Sequence, residues 1–270
     1  MIAKKRLGQN FLRDPEVIRK IISSLNLKKE DVLLEIGCGN GALTRHLVGS
    51  TRQFIGIELD AELWQGLNDK FKDPSALFFK QDILTVNLKN VQQQLSFEGR
   101  LIKVVGNIPY YISSSLVQWL THQVDLLDSA TIMFQKEVGE RLSAVPGTKE
   151  YGLLTLLGQY YFQVSPLFTV GQKAFWPKPK VHSQVVRFEP VVRRILPNEK
   201  ELAFFSLLKI CFSQRRKILI NCLKASTFSG ETLDVAMKNL GLPREIRAES
   251  LSLKELSSLF LELEQKSPIN

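Results

Sequence analysis

With 270 residues, 44% of them hydrophobic and 23% charged, the chain can bury a substantial core and reads as one or two soluble domains, a monomer without a membrane role. No apolar run approaches the roughly 20 residues that a membrane-spanning helix needs, and Cys38, Cys211 and Cys222 with three scattered histidines form neither a disulfide framework nor a zinc pattern, so no metal and a reducing cytoplasmic setting are expected. The net charge of +9 is uneven, with eight Lys/Arg against three Asp/Glu in residues 1–30 and six against one in residues 171–194; such stretches attract polyanions through counterion release, but they also serve solubility, so charge alone leaves nucleic-acid binding open.

The opening MIAKKRLGQNFLRD is basic with no apolar segment behind it, so no secretory signal is expected. Asp14-Pro15 predicts a helix start, with a capping carboxylate and proline at the first position, and Val17, Ile18, Ile21, Ile22 and Leu25 supply one apolar face. Strands are predicted at Asp31–Ile36, Gln53–Ile57, Leu77–Phe79, Leu101–Gly106 and Ala130–Gln135. Helices are predicted at Ala42–Val48, Asp60–Phe71, Ser114–His122 and Tyr151–Tyr161. This alternation implies right-handed crossovers and a mostly parallel sheet, an α/β fold. Phe162–Val170 and Val181–Glu189 read as an antiparallel edge hairpin. Beyond Pro190 the pattern turns helical, at Glu201–Phe212, Gln214–Leu223 and Leu253–Leu263. Two domains are therefore expected, residues 1–192 and a small all-helical C-terminal domain of residues 193–270.

The stretch Glu35-Ile36-Gly37-Cys38-Gly39-Asn40-Gly41-Ala42 joins the first long strand to a helix. Glycines there let the backbone turn tightly and approach a ligand at the helix N-terminus. Glu58, at the end of the next strand, can accept hydrogen bonds from both hydroxyls of a ribose, and Asp82, after the third, can accept from an adenine amino group. Two cofactors remain open on this motif, a dinucleotide and S-adenosylmethionine, because Gly37-x-Gly39-x-x-Ala42 fits the dinucleotide fingerprint and E-x-G-x-G-x-G fits methyltransferases.

Asn107-Ile108-Pro109-Tyr110 follows the fourth strand, at the same carboxyl edge. An Asn side-chain oxygen and an adjacent backbone carbonyl can both accept from an exocyclic NH₂ and aim its lone pair at an electrophile. A ring amine is a poor nucleophile, so orientation and electrostatic stabilisation are the help it needs. Tyr110 can stack on a base that has left its helix, and Pro109 stiffens the turn. Together these residues favour methylation of a base amine over a plain strand-exit turn, and nothing beyond the glycine turn supports hydride transfer.

The chain resembles the ribosomal RNA adenine N6,N6-dimethyltransferases over most of its first 190 residues. Gly8-Gln9-Asn10-Phe11-Leu12, EIGCGNGALT, Glu58-Leu59-Asp60, Asp82, NIPY, Gln135-Lys136-Glu137-Val138, Tyr151-Gly152 and Phe175-Trp176-Pro177-Lys178-Pro179-Lys180-Val181-His182-Ser183 carry the resemblance, in that order. It implies a Rossmann-like S-adenosylmethionine-dependent methyltransferase sheet. It further implies that Gln9, Asn10 and Leu12 cover or touch the cofactor. Gly37, Glu58 and Asp82 would hold its methionine, ribose and adenine portions, with Gly39, Leu59 and Ile83 beside them. Asn107 would touch both cofactor and target amine, Tyr110 and Phe175 would sandwich a flipped adenine, and Lys178 and Lys180 would meet phosphates. No dedicated general base is expected, because the charged amine product can lose its proton to water.

GQNFLRD and the helical tail resemble the small-subunit enzymes best, which implies two adjacent adenosines near the 3′ end of small-subunit rRNA in a pre-ribosomal particle. The alternatives are a large-subunit rRNA methyltransferase conferring antibiotic resistance and a non-enzymatic assembly or transcription factor. Phe212-Ser213-Gln214-Arg215-Arg216-Lys217 suits a solvated helix face as well as an RNA contact. Two departures from the family pattern are Tyr111, where many relatives carry Asn, and Val170-Gly171-Gln172, where many carry Pro-Pro; no catalytic role is assigned to Tyr111.

Overall fold

The computed structural model describes residue 4 and residues 7–214, 216–224, 226 and 228–266. In chain order its first elements are β1 (Phe11–Leu12), α1 (Pro15–Ser24), β2 (Val32–Ile36), α2 (Thr44–Leu47), β3 (Gln53–Glu58), α3 (Ala61–Lys70), β4 (Ala76–Lys80), α4 (Leu88–Gln94), β5 (Ile102–Asn107) and α5 (Ser113–His122). They continue with β6 (Leu127–Gln135), α6 (Lys136–Leu142), α7 (Leu153–Tyr161), β7 (Phe162–Val170), β8 (Phe175–Trp176) and β9 (Ser183–Pro190). The last four are α8 (Asn198–Cys211), α9 (Leu219–Leu223), α10 (Gly230–Asn239) and α11 (Leu253–Lys266).

The chain divides into two compact units, residues 1–140 with 162–190, and residues 141–161 with 191–270. In the first, seven strands form one sheet in the order β4-β3-β2-β5-β6-β9-β7. β2, β3, β4, β5 and β6 pair in parallel, while β9 pairs antiparallel with both β6 and β7. This is a Rossmann-like fold with an antiparallel edge. All five residues of β2 are buried, including Glu35, as a central parallel strand covered on both faces requires. At the start of α1, Asp14 accepts from the Glu16 and Val17 N–H groups, and Ile18 and Ile21 turn inward. The chain runs from β2 outward to β3 and β4, then returns to β5 on the other side of β2. The carboxyl ends of β2 and β5 therefore flank the topological switch point, where open α/β sheets bind ligands.

The second unit has its own core, in which Tyr151, Leu156 and Tyr160 are buried with Phe204, Leu208, Leu223, Leu233, Leu259 and Phe260. That burial places α7 with the helical unit, whereas the sequence reading kept it with the sheet. A boundary drawn from chain order alone misses such a return. The antiparallel pair expected at the sheet edge is present, with β9 beside β6 and β7 outermost. One further expectation differs. The helix expected over Gln214–Leu223 begins at Leu219, since the polar run before it has no apolar partner at helical spacing and closes a turn from the Lys217 N–H to the Gln214 carbonyl. Arg215 lies outside the described residues.

Candidate active site

Gly37 and Gly39 have φ of +68° and +56°, a left-handed conformation that side chains resist, so the turn after β2 requires them. It aims the Gly39 N–H at Glu58 Oε2, 2.8 Å away. Glu58 Oε1 accepts from the Asp60 N–H at 2.9 Å. Each carboxylate oxygen retains a further acceptor position. Burial raises the pKa of Glu58, with the two backbone N–H donors opposing. Deeper in the sheet, burial pushes Glu35 up to about 8, and the Thr44 hydroxyl, donating to Glu35 Oε2 at 2.7 Å, pulls it partly back. Both acids line the cleft, Glu35 held mostly protonated at neutral pH by its burial and Glu58 offering its carboxylate beside the glycine turn.

The N-terminal segment forms one wall. Lys4 Nζ donates to Asp60 Oδ1 at 2.8 Å and Gln9 Nε2 to Asp60 Oδ2 at 3.1 Å, while the Lys4 N–H reaches Gln9 Oε1 at 2.8 Å. Asp60 also caps α3 through the Glu62 N–H. Burial raises the Asp60 pKa, but the hydrogen bonds from Lys4, Gln9 and the Glu62 N–H outweigh it and the net shift is downward. One buried carboxylate thus ties Lys4 and Gln9 to the strand end that carries Glu58.

At the end of β5, Asn107 Nδ2 donates to the Asn10 carbonyl at 3.0 Å. A carbonyl only accepts, so the amide nitrogen must face it, and Oδ1 has no hydrogen-bond partner among the described residues. Pro109, with φ −60°, starts a short turn at Tyr110–Ile112 that leads into α5. The Tyr110 hydroxyl meets Ser183 Oγ at 2.7 Å, which fixes the far edge of the ring to the start of β9. Burial raises the Tyr110 pKa, so the phenol stays neutral.

These parts surround a cleft lined by, among others, Gln9, Asn10, Leu12, Gly37, Gly39, Glu58, Leu59, Asn107, Ile108 and Pro109. The donor set fits a nucleoside: a carboxylate with open acceptor positions, half-exposed Leu59 beside it, and a glycine turn where a Cβ on Gly39 would meet the Phe11 ring at 3.4 Å. Other expected residues stand outside this lining. Asp82 Oδ1 caps the turn at Ile83–Thr85, and Ile83 is buried. Phe175 is 5% exposed in the core with Leu12, Val170 and Val185, and Lys178 and Lys180 are exposed. Tyr110 stands beside the lining on its Ser183 anchor.

Sequence reasoning missed Asp60 as a tie, Ser183 as the Tyr110 anchor, and Tyr111. The Tyr111 ring packs over Gly8, where an added Cβ would lie 3.4 Å from it, and lines the cleft mouth while 62% exposed. Asp60 carried one local signal, an acidic residue opening a helix; the other two depend on contacts remote in sequence.

The model of the family "Ribosomal RNA adenine dimethylase" matches residues 2–265. A protein of Geobacter metallireducens named "Ribosomal RNA small subunit methyltransferase A" is 39% identical over 261 residues, 95% of this chain and 94% of that one. One of the same name from Caldanaerobacter subterraneus is 35% identical over 260 residues, 96% of each. Among solved structures, a dimethyladenosine transferase from Plasmodium falciparum superposes with a TM-score of 0.82 at 27% identity, over 95% of this chain and 98% of that one. The 23S rRNA methyltransferase ErmE follows with 0.73 at 25%, over 95% and 100%.

Proposed function

The chain belongs to the ribosomal RNA adenine dimethylase family, and from that premise we propose that it dimethylates N6 of two adjacent adenosines in a hairpin loop near the 3′ end of small-subunit rRNA. It is an rRNA adenine dimethyltransferase that uses S-adenosylmethionine. The substrate is small-subunit rRNA within a pre-ribosomal particle in the cytoplasm, and the enzyme acts as a monomer. No helix among the described residues is long and apolar enough to cross a membrane.

S-adenosylmethionine supplies, when bound, a methyl group made electrophilic by its sulfonium. Glu58 would accept from the ribose hydroxyls through the lone pairs that Gly39 and Asp60 leave open. Gly37 and Gly39 would leave room for the methionine portion, and Gln9, Asn10 and Leu12 would cover it. Leu59 would lie beside the adenine, and Asp82, with Ile83, would have to reach its amino group from the turn outside the lining. Asn107 Oδ1 and the Ile108 carbonyl accept the two N–H bonds of the target amine, turning its lone pair toward the cleft. Tyr110 stacks on the target base from its Ser183 anchor, Phe175 backs that position, and Lys178 and Lys180 meet phosphates. The methylated amine sheds its proton to water, so no side chain has to act as base.

The observation that carries this reading is Asn107, whose Nδ2 is committed to the Asn10 carbonyl so that Oδ1 remains for a donor at the switch point. The small-subunit choice is favoured by relatives of that name matching nearly the whole chain at 35% and 39% identity. The test is transfer of labelled methyl to small subunits, large subunits and naked rRNAs, followed by nucleoside analysis. Dimethyladenosine in small-subunit rRNA is expected. Dimethyladenosine confined to large-subunit rRNA would overturn the substrate, and cofactor binding without transfer to any RNA would favour a binding factor.

A further inference from the structure

β1 and β8 form a two-stranded ribbon beside the cleft, with Phe11 opposite Trp176 and Leu12 opposite Phe175. Phe11 and Leu12 line the cleft, and Arg13 follows at once, its N–H donating to the Ala174 carbonyl at 2.8 Å. On β8 the side chains alternate: Phe175 enters the core, and Trp176 faces out with 39% of its surface exposed. The Arg13 guanidinium carbon sits 4.7 Å above the Trp176 ring. Arg13 is exposed and forms no ion pair among the described residues. The nearest carboxylate in sequence, Asp14, is committed to capping α1.

Lys173, Lys178, Lys180 and His182 are all exposed on the neighbouring turns, and residues 171–182 contain no acidic residue. None of the three lysines forms an ion pair among the described residues. A half-exposed tryptophan contributes little to a core that Leu12 and Phe175 already fill. A cation held over its ring, inside an uncompensated basic field, matches instead what single-stranded nucleic acid requires: a flat stacking surface and nearby positive charge.

We propose that the Arg13–Trp176 pair is a stacking platform for an unpaired base next to the target adenosine in the RNA chain. This rests on the reading that the protein methylates RNA, and it names a contact separate from the target pocket. The strand pairing sets the platform one residue beyond the cleft wall, so the base it takes is a neighbour of the one being modified. Lys173, Lys178 and Lys180 supply the phosphate field along the same path. The platform places the RNA and takes no part in methyl transfer.

The test compares wild type with Trp176→Leu, Trp176→Phe and Arg13→Ala. It measures binding to a synthetic hairpin of the 3′-terminal small-subunit sequence, S-adenosylhomocysteine affinity by calorimetry, and steady-state methylation of small subunits. Leucine keeps apolar bulk without a π-face, and phenylalanine keeps the face. Loss of one stacked base predicts about tenfold weaker hairpin binding for Trp176→Leu, with most affinity kept by Trp176→Phe. KM for the particle should rise by about the same factor, with kcat and S-adenosylhomocysteine affinity close to wild type. Arg13→Ala should also weaken binding and flatten its salt dependence.

Equal hairpin affinity for wild type and Trp176→Leu overturns the platform and leaves the methylation reading intact. Weaker binding to particles alone, with the protein-free hairpin unaffected, also overturns it, because the face then meets a ribosomal protein. Lost cofactor affinity in Trp176→Leu that Trp176→Phe does not share overturns it in favour of a structural role. If wild type binds the hairpin but methylates no RNA, the methylation reading fails while the binding comparison still decides the platform.

Discussion

Replacing Asp60 by alanine removes one carboxylate with three separate duties. It caps α3 through the Glu62 N–H, holds Gln9 at 3.1 Å and pairs with Lys4 at 2.8 Å. A lost N-cap costs about 1 kcal/mol. The Gln9 hydrogen bond adds about 0.5–1.5 kcal/mol. The Lys4 pair is worth less, because the lysine is 30% exposed, and it is set at roughly 0.2–1 kcal/mol. Sharing one carboxylate makes these contributions non-additive, so the expected loss for Asp60→Ala is about 2–3 kcal/mol. Asparagine caps as well as aspartate but presents Nδ2 to the Gln9 Nε2 donor, so Asp60→Asn should keep the cap and lose both the Gln9 bond and the charge pair, about 1–2 kcal/mol. The same carboxylate ties the segment that lines the cleft, so the freed segment must be ordered anew when cofactor binds. A cost of about 1.4 kcal/mol there weakens affinity about tenfold in Asp60→Ala. Urea unfolding and calorimetric titration with S-adenosylhomocysteine measure both effects. Equal stability of the Ala and Asn variants would refute the cap. Unchanged cofactor affinity in Asp60→Ala would refute the tie between the N-terminal segment and the site.

Asn107→Ala should lower kcat about 10²–10³-fold, the usual cost of deleting one positioned electrostatic partner, while the fold survives; near-wild-type dimethylation by the variant would sink its assigned role. Glu35 predicts a pH effect on stability. Its folded pKa of about 8 exceeds the ordinary carboxyl value, so its contribution is complete below about pH 4.3 and is lost as pH rises through about 8. Between about pH 5 and 8 the folded state holds a proton that the unfolded chain has released, and stability falls by about 1.4 kcal/mol per unit from this group. Urea midpoints across that range should show Glu35→Gln gaining on wild type as pH rises, and parallel curves would contradict it. Gly56→Ala places a Cβ 2.5 Å from the Phe78 ring and 2.8 Å from Cys38 Sγ, an overpacking expected to cost about 1–3 kcal/mol. An unchanged unfolding midpoint would show that the sheet yields more easily than this contact implies.

Much of the architecture was legible in order along the chain. The apolar runs marked the strands β2 to β6, the glycine turn marked the ligand edge, and Asp14-Pro15 marked the start of α1, because periodicity and turn chemistry are local properties. The family resemblance named the reaction, and Asn107, Glu58 and the glycine turn do converge on one cleft.

What the sequence could not decide was which distant residues meet. α7 joins the helical core, although chain order suggested a helix of the sheet domain. Asp60 meets Lys4 across 56 positions, and Tyr110 meets Ser183 across 73. Side-chain alternation on β8 turns Phe175 inward and leaves Trp176, beneath Arg13, as the exposed ring. Sequence determined the local periods and the chemical inventory; only tertiary packing, which sets burial and long-range pairing, decided which members of that inventory face the cleft.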